Sequence, residues 1–221
     1  VSPVMVSGKP SFASVNVHAG GLAWVGDRLY VPSTTGGFRV FDLSRILKLS
    51  GLDDSLGPDA AGKYNAYGYA YAIPEIERFT ANTTCAPVFS FVSLDRDTNT
   101  LVSGEYDADS IHGRLYRWPL DAAGALTREG TRVLPSAAYF MGESHIQGGL
   151  AHGSQMFLSS SRPAGGAGEL DRTGPGVKTT RLGWNDSPED LAFDAQDATI
   201  WSLSEGLNAR YVFESTLSTL Q

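Results

Sequence analysis

Three polar residues stand at corresponding places of a phrase that the chain repeats. His18 precedes Gly20-Gly21-Leu22-Ala23-Trp24, Gln147 precedes Gly148-Gly149-Leu150-Ala151-His152, and Glu189 heads Glu189-Asp190-Leu191-Ala192-Phe193. If these converge, an imidazole, an amide carbonyl and a carboxylate can hold a divalent cation, and the oxygen donors favour a hard ion such as calcium. The competing reading is structural: polar residues at strand starts satisfy one another and buried water. A second set lies where later strands end, at Ser33, Glu105, Ser160 or Ser161, and Glu205. Two carboxylates facing one opening, Glu105 and Glu205, have the chemistry of a general acid and base for glycoside, lactone or ester hydrolysis. Alternatively each pairs with a neighbouring arginine, Arg114, Arg162 or Arg210, and fixes a loop.

Three further features complete the candidate site. His145 follows Glu143 and Ser144, the composition of a base with an orienting acid, although alternate residues of a strand point apart. Tyr67 and Tyr69, with Tyr64 and Tyr71, interleave with small residues and suit either a stacking platform for sugar rings or a flap packed on a sheet. Arg210 joins Gln147, His145, Tyr67 and Tyr69 in the ligand-binding set. A serine hydrolase is disfavoured because no Gly-x-Ser-x-Gly elbow occurs, and no Cys/His cluster or phosphate-cradling glycine loop is present.

Each copy of the phrase runs through a short polar turn into an alternating strand: Arg28 to Ser33, Gln155 to Ser160 and Thr199 to Ser204. Such strand, turn, strand units bury their faces against neighbouring units, which is the signature of an all-β fold of the β-propeller type. The first unit is expected from Val15, with its inner strand to Val25, a second to Ser33 and a third over Phe38 to Asp42. The second takes Val88 to Leu94, Thr100 to Glu105, Gly113 to Leu120 and Thr131 to Leu134. The third begins at His145 or Ile146 and ends near Trp184, with Pro163 to Gly168 as a loop, and the fourth covers Glu189 to Glu214. Between the first two, an insertion over about 43–80 holds two expected short helices, Ser44 to Leu49 and Pro74 to Arg78. Trp24, Trp118, Trp184 and Trp201 are expected in the cores between blades. Four is the low limit for ring closure, so five or six blades are expected in the complete ring, at least four of them in this chain.

The whole chain, residues 1–221, reads as one such domain. It carries 24 acidic against 17 basic residues, a formal charge of -7, and its Lys and Arg are scattered, which disfavours nucleic acid and anionic membrane as partners. No apolar run approaches the roughly 18 residues of a spanning helix. The start at Val1 without methionine is read as processing or truncation, with a further N-terminal blade expected in a removed segment or a second chain; the lone Cys85 reads first as a half-buried thiol beside a strand, and alternatively as the partner of a cysteine in that segment or chain. Asn82-Thr83-Thr84 and Asn185-Asp186-Ser187 match the glycosylation acceptor pattern.

The words His18-Ala19-Gly20-Gly21, Phe89 to Arg96, Gly104-Glu105-Tyr106, Gln147-Gly148-Gly149 and Pro188 to Leu191 resemble a group of secreted actinobacterial propellers without an established activity. The Pro-Glu opening of an inner strand more distantly resembles calcium-dependent gluconolactonase and paraoxonase propellers and esterase-like phytases. These resemblances imply an extracellular setting and calcium-assisted or carboxylate-based hydrolysis of an ester, lactone or carbohydrate. The alternative function is a non-catalytic module that binds carbohydrate or protein.

Overall fold

Residues 1–81, 85–161 and 166–220 are described by the computed structural model; Asn82-Thr83-Thr84 and Arg162 lie outside them. The chain is all-β, and four antiparallel sheets form the blades of a β-propeller. Blade 1 orders its strands Ala23–Val25, Arg28–Pro32, Phe38–Asp42 and Glu75–Arg78 from the axis outward. Blade 2 runs Phe89–Asp95, Thr100–Glu105, Arg114–Pro119 and Ala137–Phe140. Blade 3 runs Ile146–His152, Gln155–Ser160, Ala167–Gly174 and Val177–Asp186, and blade 4 has three strands, Pro188–Asp194, Thr199–Ser204 and Val212–Thr216.

Alternation in each strand sends one set of side chains to each face, and the apolar sets meet between blades. Tyr30, Phe38 and Val40 of blade 1 pack on Phe89, Val92 and Leu101 of blade 2. Phe91, Val102 and Leu115 of blade 2 meet Ile146, Met156 and Leu158 of blade 3. Leu150, Phe157, Leu170 and Trp184 of blade 3 meet Leu191 and Ile200 of blade 4. Among the described residues no buried cluster joins blade 4 to blade 1. The tryptophans divide accordingly. Trp184 is buried and Trp118 packs on the first cluster, but Trp24 and Trp201, expected as core, are 68% and 38% exposed on the faces that lack a neighbour.

The repeated glycines are explained by the axis. A Cβ on Gly20 would lie 2.0 Å from the Ser90 carbonyl oxygen, and one on Gly148 would lie 2.5 Å from the Glu189 carbonyl oxygen. Inner strands therefore approach one another too closely for any side chain there. The fully buried Phe91 ring lies between blades 2 and 3, where a Cβ on Gly149 or Gly104 would fall within 2.4 Å of it.

Several expected elements differ. The inner strand of blade 1 is only Ala23–Val25; residues 14–22 approach it without sheet pairing, and Leu22 is 55% exposed where its counterparts Leu150 and Leu191 are buried. Pro74 to Arg78 is not a helix: Glu75–Arg78 is the outer strand of blade 1, secured by an Arg39–Glu75 ion pair at 2.7 Å. Ser44 to Leu49 is a single 3-10 turn, Leu43–Arg45, capped by Asp42 and followed by the strand Leu47–Lys48. The outer strand of blade 2 is Ala137–Phe140 rather than Thr131 to Leu134. Within the insertion, two small two-stranded sheets and the Ser2–Val6/Lys9–Ala13 hairpin share a core around Leu49, Ala66 and Ala72, with Phe12 against Tyr64 at 5.3 Å.

Candidate functional site

The inner strands of blades 2, 3 and 4 each carry an irregularity near their start: at Ser90, at Gln147, and at Glu189-Asp190. A bulge kinks a strand and re-aims a side chain, so polar groups at these places escape the alternation that would face them into a blade interface. Ser90 Oγ uses the freedom to donate to the Ile146 carbonyl at 2.9 Å, stitching two inner strands together. Gln147 is half-buried at the equivalent place.

In blade 4 the bulge sets the Glu189 carboxyl beside that of Glu205. Ser187, in the left-handed region at φ 47°, turns the chain into Pro188, and its carbonyl accepts from the Glu205 N–H at 3.1 Å. That bond sets Glu205 beside the strand start, and its carboxyl hydrogen-bonds with that of Glu189. The loop behind Glu205 is fixed by buried Ser204, whose Oγ donates to the Ala209 carbonyl at 2.7 Å and accepts from the Tyr211 N–H at 3.1 Å. Burial first, then the neighbouring Glu205 charge, pushes the Glu189 carboxyl up to about 8. Its Oε1 is buried with no hydrogen-bond partner, while Glu205 is exposed. Glu189 is therefore a sheltered carboxyl that keeps its proton at neutral pH, set beside the exposed side chain of Glu205.

Asp190 lies deeper. Its Oδ1 accepts from its neighbour Leu191 N–H at 2.9 Å and its Oδ2 from Leu22 N–H at 3.0 Å, which ties blade 4 to the segment leading into blade 1. A Cβ on Gly21 would fall 2.1 Å from Oδ2, so glycine is needed for that approach. Burial raises the Asp190 carboxyl well above its ordinary range despite these two bonds.

The other expected residues are placed as follows. Glu105 does not share the position of Glu205: it pairs across from Phe89, level with Ser160 and Ser204, whereas Glu205 is level with Tyr106 and Ser161, one residue further along. Glu105 is buried and taken up by Arg114, which donates from its backbone N–H and Nε to Oε2, both at 2.8 Å, and from Nη2 to Oε1 at 2.6 Å. His18 is exposed in the unpaired approach to blade 1, not on an inner strand. Among the described residues no group of three or more His, Cys, Asp or Glu gathers to hold a metal ion.

His145 occupies the place in blade 3 that Ser187 has in blade 4, likewise left-handed at φ 59°, with its carbonyl accepting from Ser161 N–H at 3.0 Å. Its ring meets Tyr106 edge-on at 5.9 Å and its Nδ1 lies 3.0 Å from Ser144 Oγ. Glu143 does not orient it, being paired with Arg181 at 2.6 Å. Arg210 is exposed, and among the described residues no ion pair joins it to Glu205. Tyr67 and Tyr69 lie away on the insertion, where they border a groove over blade 1. Sequence reasoning missed Asp190 and Ser90 as axial residues; the signal for the first was a pair of adjacent carboxylates with no basic residue nearby.

No family model and no curated protein matches the chain. Among solved structures, the computationally designed Ika4 protein is 12% identical, with a TM-score of 0.41, and the match covers 93% of this chain and 95% of that one. Kuenenia stuttgartiensis hydrazine synthase is 15% identical at a TM-score of 0.39, covering 86% of this chain and 62% of that one. The designed Ika8 protein is 12% identical at 0.36, covering 96% and 74%.

Proposed function

We propose that the protein hydrolyses an ester or lactone with the Glu189–Glu205 pair as its acid and base. The observation that carries this reading is the contact between a sheltered carboxyl, raised to about 8 by burial and by Glu205, and an exposed carboxylate. Glu205 takes the proton from a water whose oxygen attacks the carbonyl carbon. Glu189 gives its proton to the departing alkoxide, and the proton on Glu205 then passes back through the direct hydrogen bond, restoring the pair. Glycoside hydrolysis is less favoured, because its two carboxyl groups stand at least about 5 Å apart to flank a sugar, whereas these touch. The loose resemblance to lactonase propellers supports the same reaction class, and the extracellular setting belongs to that same resemblance.

The test is a turnover screen with 4-nitrophenyl acetate and simple γ- and δ-lactones. Glu189→Gln and Glu205→Gln should each lower kcat/KM by about 100-fold or more while remaining folded, with melting temperatures no lower than that of the wild type. The pH profile should fall away above about 8 as Glu189 ionises. Full activity in either glutamine variant, or no turnover of any of these substrates by the wild type, overturns the proposal.

A further inference from the structure

We infer that the groove beneath the tyrosine-bearing turn is a binding site for an uncharged, apolar small molecule. This rests on blade 1 and the insertion, and is independent of the carboxyl pair.

The floor of the groove is the outward face of blade 1. Leu29, Val31 and Phe41 alternate with Tyr30 and Val40, which face the blade 2 core, so this blade is apolar on both sides like the others. At the other described interfaces the next blade covers such a face. Here the cover is a wall containing Val17 and a rim of Tyr67, Tyr69 and Tyr71, which leave a cavity of about 380 Å³. That size falls in the range of small-molecule sites, roughly 300–1,000 Å³. The three phenol rings are 52%, 72% and 60% exposed, so the rim is not itself buried by packing.

The rim is also strained. The Tyr69 N–H donates to the Ala66 carbonyl at 3.0 Å across a turn whose central residues, Tyr67 and Gly68, both have positive φ, 52° and 76°. Such turns favour Asn-Gly, and a bulky residue in the left-handed region is held there against its preference. The Tyr67 hydroxyl lies 2.8 Å from Ser14 Oγ, which pins the ring across the groove edge. The lining side chains are uncharged, and the one charge on the lining, the Val1 ammonium, already donates to the Ile73 carbonyl at 2.9 Å and has the Glu75 charge nearby, so in a chain of net charge -7 an anionic head group gains little. A neutral molecule with an apolar body fits, with phenol hydroxyls available for one weakly polar end.

The probe is N-phenyl-1-naphthylamine, neutral and fluorescent only in apolar surroundings, with decanol and decanoate as competitors. Saturable binding is expected, displaced by decanol at least tenfold more effectively than by decanoate. Val17→Trp, which fills the groove, should weaken binding tenfold or more. Tyr67→Asn should weaken it severalfold while raising the melting temperature, because Asn accepts the turn; this variant decides the matter should Val17→Trp fail to fold. Absence of saturable binding overturns the site, as does unchanged affinity in folded variants. Preferential displacement by decanoate overturns the assignment to an uncharged ligand.

Discussion

Glu189 matters at the residue scale because its proton is linked to folding. Its ordinary value is 4.5 and its folded value about 8, so between these the unfolded chain releases a proton that the folded chain keeps. Stability is then unaffected below about 4.5, falls as pH rises through the window and levels off above about 8, the sign expected for a carboxyl raised by burial. Glu189→Gln removes this loss. Melting curves should show variant and wild type together near pH 4.5 and separating, with the variant higher, up to pH 8. A separation that does not change with pH would mean that Glu189 titrates normally. Both glutamates were legible in the sequence as polar residues at strand ends, but their contact was not. It depends on a bulge and on the Ser187–Glu205 backbone bond, and a one-residue offset made Glu105 look like the partner. Since alternate residues of a strand face opposite ways, that offset separates a residue clamped by Arg114 from one that faces Glu189.

Among the elements, the close approach of inner strands makes a sharp prediction about glycine. Gly148→Ala would place a Cβ 2.5 Å from the Glu189 carbonyl and 2.9 Å from Asp190 Cα, both on a neighbouring strand's backbone that cannot rotate away. A cost of about 3 kcal/mol is expected, at the upper end of typical overpacking, with loss of the Glu189–Glu205 contact as blade 4 is pushed aside. Gly183→Ala is the control: its position is open and its backbone ordinary, so chemical denaturation should show a change of no more than about 0.5 kcal/mol. Equal destabilisation by both substitutions would deny the close approach of the inner strands. Strands such as Thr100–Glu105 and Phe38–Asp42 were legible to the residue because their alternation is regular and turn residues bound them. Pro74 to Arg78 was not, since a proline followed by alternating glutamates resembles a helix start as much as an edge strand; the ion pair with Arg39 that settles it is long-range. The segment before Ala23 misled for a related reason: it alternates like a strand, but no strand pairs with it.

For the molecule as a whole, cooperativity should follow the three buried interfaces in order around the axis. Blades 2 and 3 are packed on both faces, while blade 4 joins blade 1 through the Asp190–Leu22 bond and leaves Trp201, Leu203 and Val212 exposed on its outward face. Local opening has the lowest cost where buried apolar contacts are fewest. Hydrogen exchange should therefore be slowest in Phe89–Asp95 and Ile146–His152 and fastest, among blade strands, in Val212–Thr216. Substitution should show the same asymmetry. Phe157→Ala empties a fully buried site between blades 3 and 4 and should cost about 3–5 kcal/mol, whereas Trp201→Ala, on the uncovered face, should cost under about 1 kcal/mol. The comparison tests the ring itself. A Trp201→Ala penalty near that of Phe157→Ala, with Val212–Thr216 as protected as the central strands, would require a fourth buried interface closing blade 4 onto blade 1. A small penalty with rapid exchange would make the axial contacts of Asp190, Gly21 and Leu22 the whole of that junction, and would leave the Glu189–Glu205 pair on the most easily opened blade.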